Sequence, residues 1–73
     1  MGVLTLDQVG PDGLLIVVDW DAMRVGSSVF LPCIDTTEAL KQVRGIFGRR
    51  GWHMRYAIRP EKDLWGVRIW RIA

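Results

Sequence analysis

The stretch WHMRYAIRPEKDLWGVRIWR, residues 52–71, decides the fold. Apolar and polar side chains alternate on both sides of a polar, proline-containing segment, residues 60–63, which is the pattern of two antiparallel strands joined by a loop. In the first of these strands Trp52 and Tyr56 fall on the same face, and we expect both in the core. The sequence therefore predicts a C-terminal β-hairpin.

A helix is predicted before the hairpin. Asp35 or Thr36 is expected to cap its start, and Asp35 with Glu38 three residues later approximates a capping box. Gly48 and Gly51 are both suitable places for it to end. Between these signals, apolar residues recur at helical spacing and form one face: Ala39, Leu40, Val43, Ile46 and Phe47.

Two strands are predicted before the helix. Residues 14–20, LLIVVDW, form a β-branched run bounded by turn signals, which is typical of a central strand. Residues 28–31 form a second strand, which Pro32 should stop because it cannot donate to a ladder. The predicted fold is α+β, a four-stranded antiparallel sheet in β-β-α-β-β order with one helix packed on one face. Because one helix cannot cover both faces, the other face should be partly solvated.

The 73 residues allow a single domain with a thin core. We expect residues 14–73 to form that domain. Residues 1–13, which alternate at 3–7 and end in the turn cluster 10–13, are expected to form an N-terminal arm, either a weak edge strand or a mobile segment. A chain of this size has little room for a deep, water-excluding cleft, so we expect neither an enzyme nor a protein that binds a cofactor or a small-molecule substrate.

The cysteine content and the apolar runs predict a cytoplasmic protein. Cys33 is the only cysteine, so no internal disulfide can form, and a free thiol indicates a reducing compartment. The longest apolar run, residues 14–18, is far too short to span a membrane. We therefore expect no membrane partner.

Two residue pairs are candidates for a chemical site, one for nucleophilic catalysis and one for metal binding. Cys33 and His53 are the only thiol and the only imidazole, but nothing in the sequence supplies the orienting third group that a nucleophilic pair needs. Asp19 and Asp21 offer two carboxylates, which without further oxygen ligands rarely hold a cation. The sequence predicts no catalytic residue and no metal site.

The charge is distributed unevenly along the chain. Residues 1–40 carry one basic and six acidic side chains, a net charge of −5, and residues 41–73 carry nine basic and two acidic side chains, a net charge of +7. Such an asymmetry indicates a basic surface for an acidic partner, either a nucleic acid or a protein. The alternative is that the two halves attract each other across the fold.

The basic residues of the second half are nearly all arginine and are interleaved with aromatic residues. Arginine suits bidentate contacts with phosphate or carboxylate groups, and the combination with tryptophan is typical of nucleic-acid and protein interfaces. The alternative is a solvated sheet face whose aromatic side chains turn into the core. Trp70 shares a strand face with Arg68, which favours a place on the surface. The predicted partner-binding residues are Arg49, Arg50, Arg55, Arg59, Arg68, Trp70 and Arg71.

Two stretches resemble a pattern in a family of small phage-encoded proteins that bind RNA polymerase and regulate transcription. They are MRVGSSVFLP, residues 23–32, and GVRIWR, residues 66–71. In that pattern a Met-x-x-Gly-x-Ser-x-Phe-x-Pro-like strand pairs at a distance with a Gly-Val-Arg-x-Trp-Arg strand. The resemblance extends over residues 20–71, and Ser27 stands where the pattern would have an acidic residue.

The resemblance implies a function. The chain would bind host bacterial RNA polymerase at the N-terminal part of the β′ subunit, beside the RNA exit channel. There it would inhibit σ-dependent initiation and promote antitermination, with arginines near the nascent RNA. A sheet-based DNA-binding transcription regulator is the alternative. A homodimeric structural protein that pairs through a strand edge is a third class, which needs no basic face.

Overall fold

The fold is α+β with three strands rather than four, as a computed structural model describes it for residues 8–73. The sheet is antiparallel with the order β1-β3-β2, so that the last strand in sequence lies in the centre. The prediction of a four-stranded sheet in β-β-α-β-β order is wrong. The elements are a 3-10 turn at Trp20–Ala22, β1 at Ser28–Pro32, α1 at Thr36–Arg50, β2 at Met54–Glu61 and β3 at Leu64–Arg71.

The missing strand is the predicted one at residues 14–20. Its only strand-like contact is an isolated bridge between Ile16 and Val9, and Val17 is 83% exposed. The chain instead turns at Trp20, whose ring is buried edge-on against Phe47 with 5.9 Å between the ring centroids. β-propensity expresses how well side chains fit a pleated surface, and it produces no strand where the chain gains more by burying a large aromatic ring.

The N-terminal arm is described from Gln8 onward, and the predicted alternation at residues 3–7 lies outside the described residues. Val9 is fully buried, and the Gly10 backbone N–H donates to the Gln42 side chain at 2.8 Å. Both Asp12 carboxylate oxygens accept backbone N–H groups at 2.8 Å, from Ile34 and from Asp35. These bonds fasten residues 9–12 to α1 and to the connection before it.

The predicted helix is confirmed. The Asp35 carboxylate accepts the Glu38 backbone N–H at 3.0 Å, and the helix ends at Gly51, which takes the left-handed conformation with φ 70°. The capping box is only half made, because the Asp35 backbone N–H donates to Asp12. All five residues of the predicted apolar face are buried.

The predicted hairpin is confirmed, with a tighter turn than expected. Lys62 and Asp63 both have positive φ, 49° and 66°, which is the geometry of a two-residue hairpin turn. Pro60 and Glu61, expected in the loop, are the last residues of β2 and pair with β3. Pro60 is tolerated there because β2 is an edge strand.

β1 and β3 approach each other closely at one end. Their register runs from Ser28 opposite Trp70 to Pro32 opposite Gly66, so β1 includes the proline at which it was expected to stop. A Cβ atom on Gly66 would lie 2.8 Å from Pro32 Cα and 2.9 Å from Phe30 Cζ. Only glycine fits this position without displacing β1.

The core lies between α1 and one face of the sheet. Leu31, Val67 and Ile69 are buried there, and Trp52 packs edge-on against Phe47 at 5.6 Å. Tyr56, predicted in the core, has the correct parity but is 43% exposed. The core is centred on β1 and β3, so α1 covers the β2 part of this face only incompletely. In residues 8–73, no helix is long and apolar enough to cross a lipid bilayer.

Candidate functional site

The sheet face that points away from α1 carries most of the predicted binding residues. Because successive side chains of a strand point to opposite faces, the side chains opposite the buried set all project there. We call this surface the open face. Its side chains are Ser28, Phe30, Pro32, Arg55, Ala57, Arg59, Glu61, Leu64, Arg68 and Trp70, with Gly66 in the central strand.

The predicted set is thus divided. Arg55, Arg59, Arg68 and Trp70 lie together on the open face. Arg71 has the opposite parity at the end of β3, and Arg49 and Arg50 lie in the last turn of α1. Alternation predicts that Arg55 shares a face with Arg59 and that Arg68 shares a face with Trp70, and the register between β2 and β3 brings the two pairs together. Nothing in a strand pattern relates the end of a helix to a sheet face.

Glu61 holds two of the arginines of the open face. Arg68 donates to both of its carboxylate oxygens, at 2.6 and 2.8 Å, and Arg59 donates at 3.0 Å. These hydrogen bonds, that from Arg68 above all, lower the pKa of Glu61 from 4.5 to about 2, and Glu61 in turn raises the pKa of Arg68. The carboxylate therefore stays ionised at neutral pH and neutralises part of the positive charge. Sequence reasoning missed Glu61 because it placed this residue in the loop.

The same two arginines also form cation–π contacts with aromatic rings. The Arg59 guanidinium lies over the Trp70 ring at 5.5 Å, and that of Arg68 lies over the Phe30 ring at 5.8 Å. A further bond, from Arg68 to the Ser28 hydroxyl at 2.8 Å, ties β3 to β1. Cation–π contacts and hydrogen bonds together hold the Arg59 and Arg68 side chains in one arrangement before any partner arrives.

Arg50 and Arg71 have internal roles. Both guanidinium groups lie over the Trp52 ring, Arg71 at 3.8 Å and Arg50 at 5.5 Å. Arg71 also donates to the Met23 carbonyl at 2.9 Å, and Arg50 forms an ion pair with Asp21 at 3.2 Å. These contacts join the end of α1, the end of β3 and the N-terminal region, so their first effect is on the fold.

A groove of about 510 Å³ lies at the end of the sheet, beside the open face. It forms where the turn at residues 24–27 crosses the end of β3: the Gly26 backbone N–H donates to the Arg71 carbonyl at 2.7 Å, and the Arg71 N–H donates to the Ser27 carbonyl at 3.0 Å. Sequence reasoning did not find the groove, because it depends on this tertiary contact. Its lining is Val25, Gly26, Arg55, Trp70, Arg71 and Ile72.

In comparisons with protein family models, curated proteins and solved structures, the chain matches none of them.

The two residues considered for nucleophilic chemistry are far apart. Cys33 donates its backbone N–H to Trp65, and His53 accepts the backbone N–H of Ile72, so they flank opposite ends of β3. Seven residues of strand correspond to roughly 23 Å at ~3.3 Å per residue. Burial, helped by the charges of Asp12 and Asp35, raises the pKa of the Cys33 thiol. The pair therefore cannot act together.

One of the two carboxylates considered for a metal site is engaged in an ion pair. Asp21 pairs with Arg50, and Asp19 makes no side-chain capping bond at the 3-10 turn. Among the residues from 8 to 73, no group of three or more histidine, cysteine, aspartate or glutamate side chains is placed to hold a metal ion.

Proposed function

We propose that this chain acts by binding, without catalysis, and that its partner is bacterial RNA polymerase, as the resemblance of its two motif stretches implies. The observation that carries the proposal is the pairing of β1 with β3, register Ser28–Trp70 to Pro32–Gly66. The stretches 23–32 and 66–71 are thereby neighbours, and both contribute to the open face.

The chemistry of the open face supports a protein partner over duplex DNA. Two of its three arginines share the Glu61 carboxylate, so the net charge offered to phosphates is reduced. Apolar side chains are also available beside it, with Val25 63% exposed and Ile72 47% exposed. A mixed surface of arginine, tryptophan and aliphatic groups is typical of protein interfaces.

DNA binding remains the second candidate because of the charge of residues 41–73, nine basic against two acidic side chains. A binder of the phosphate backbone would use these charges without regard to sequence, and log affinity would fall steeply with log salt, by nearly one unit for each phosphate contacted. The two candidates therefore differ in salt dependence as well as in target.

The first test is a titration of the protein against purified bacterial RNA polymerase and against duplex DNA at two salt concentrations. We expect binding to polymerase with a shallow salt dependence, and a loss of about tenfold or more for Trp70→Ala, the size of effect seen for central aromatic residues of interfaces. Lys41→Ala, an exposed cation of α1, is the matched control and should have no effect. Circular dichroism checks the fold of each variant.

Tight, steeply salt-dependent binding to DNA, without binding to polymerase, would establish the second candidate instead. The regulatory part of the proposal has its own measurement. In transcription assays with purified polymerase, the protein should reduce σ-dependent initiation and increase read-through at an intrinsic terminator, and crosslinking to the β′ subunit and to nascent RNA tests the position beside the exit channel. Unchanged transcription despite tight binding would contradict this part alone.

A further inference from the structure

We infer that the groove at the end of the sheet is a docking site for an acidic segment of a protein partner, in which a carboxylate is flanked by an aliphatic or aromatic side chain. This inference rests on the proposed function, because it specifies the chemistry by which a partner is recognised next to the open face. The groove volume, about 510 Å³, lies within the range of about 300–1,000 Å³ that is usual for binding pockets.

The walls of the groove are apolar. Trp70, Val25 and Ile72 line it, and the last two are among the more exposed large apolar side chains of residues 8–73. Burying such groups against a partner is favourable in proportion to the apolar area removed from water. Phosphates gain nothing from these walls, which favours a protein segment over a nucleic-acid backbone.

The charge of the groove selects an acidic segment. Among residues 8–73, its two ionisable lining residues, Arg55 and Arg71, are both cationic, and no carboxylate lines it. Arg71 is already engaged with the Met23 carbonyl and stacked on Trp52. Arg55 is exposed and makes no hydrogen bond or ion pair within residues 8–73, so its guanidinium is available for an incoming carboxylate.

The site is also preorganised. The Arg59 guanidinium over the Trp70 ring holds the aromatic wall, and the backbone bonds between Gly26, Ser27 and Arg71 hold the opposite one. A partner therefore has little side-chain or loop entropy to remove on binding, and mainly the Arg55 side chain has to be ordered.

The experiment uses the full chain and a fluorescein-labelled peptide with the central sequence Glu-Leu-Glu-Phe-Glu, and measures fluorescence anisotropy. A peptide with Gln for every Glu and a single-stranded RNA of similar length are the competing probes. We expect the acidic peptide to bind, and binding of the Gln peptide to be at least about tenfold weaker, since a charge-assisted hydrogen bond is lost.

Matched variants locate the site on the protein. Arg55→Glu should weaken binding of the acidic peptide by about tenfold or more, whereas Lys41→Glu, the same charge reversal on α1, should change it by less than about twofold. Val25→Ser should weaken binding severalfold, and Val17→Ser, at another exposed valine, should not. In nuclear magnetic resonance spectra, the Trp70 indole should shift on addition of the peptide.

The result that overturns the inference is absence of peptide binding, binding that Arg55→Glu and Val25→Ser leave unchanged, or preferential binding of the RNA to the groove. A titration of polymerase with the same variants separates this outcome from failure of the proposed function. Polymerase binding that is insensitive to Arg55→Glu keeps the function and removes the groove as docking site. Peptide binding at the groove without any polymerase binding keeps the docking site and removes polymerase as the partner.

Discussion

Residues 8–27 and residues 54–71 are both rich in apolar, strand-forming side chains, yet they have different structures. The second stretch forms a hairpin with eight paired positions between β2 and β3. The first forms one bridge and a 3-10 turn, and leaves Leu14, Leu15 and Val17 exposed. The contrast separates two ways in which a segment of this chain is held in place.

The hairpin is held by its own local pairing. The two turn residues in the left-handed region set the register, and alternation gives each strand one face for the core and one for the solvent. Residues 8–27 have neither device. They are fastened at separate points instead. Among these points are the buried side chains of Val9 and Trp20 and the carboxylate of Asp12. Removing single contacts should therefore affect the two regions differently.

The largest effect is expected at the buried aromatic rings. Trp20→Ala and Phe47→Ala should each lower the free energy of unfolding by about 3–5 kcal/mol, because each leaves a cavity in a thin core. Urea denaturation measures both, with the exposed Val17→Ala as the control. A cost below about 1 kcal/mol for Trp20→Ala alone would show that the N-terminal region is not part of the cooperative fold.

The next largest effect is expected where β1 and β3 approach each other. Gly66→Ala should cost about 3 kcal/mol, because its Cβ would meet the backbone of Leu31 and Pro32. Gly48→Ala is the matched control: its Cβ would meet nothing within 4 Å, and in a helix the change should stabilise the protein by up to about 1 kcal/mol. Equal stability of the two variants would contradict the register between β1 and β3.

A smaller effect is expected at the carboxylate that fastens the N-terminal region. Asp12→Ala should cost about 1–2 kcal/mol, because the Ile34 and Asp35 backbone N–H groups lose a charged acceptor at an exposed site, where water replaces part of it. Asp19→Ala removes a carboxylate that makes no capping bond and should have little effect. A thermal unfolding comparison of the two variants decides whether this fastening contributes.

The smallest effect is expected at the open face and depends on pH. Because hydrogen bonds from Arg68 and Arg59 lower the pKa of Glu61 to about 2 in the folded protein, Glu61 contributes stability that is present above its ordinary pKa of 4.5 and is lost as the pH falls toward 2. Glu61→Gln should flatten the stability curve between these pH values. Gly48→Ala, which removes no titratable group, should leave its shape unchanged.

Much of the fold follows from the sequence where the signal is local. The Asp35 cap, the apolar face of α1 and the alternation in residues 54–71 each act over a few residues, and each prediction is confirmed. The strand predicted at residues 14–20 is wrong because a strand needs a neighbour, and no pattern within the run specifies one. Tyr56 shows the same limit: alternation gives the face of a side chain but not how far the helix extends over it.

The candidate site is divided in the same way. Arg55, Arg59, Arg68 and Trp70 share a surface because strand parity fixes which face each occupies. Glu61 was missed because it was placed in the loop, although its partners Arg59 and Arg68 are only two and seven residues away. Val25 and Ile72 were not found, because the groove that they help to line arises from a contact between segments distant in sequence. The internal roles of Arg50 and Arg71 were missed for the same reason, since both depend on the position of the Trp52 ring.

The central position of β3 has a consequence for synthesis. Both neighbours of β3, namely β1 and β2, precede it in the chain, and they pair with it but not with each other. On the ribosome, where residues are added at roughly 5–20 per second, a nascent chain that ends before Leu64 holds two strands without a partner. The sheet therefore cannot assemble step by step during translation. It forms only after β3 has emerged from the ribosome.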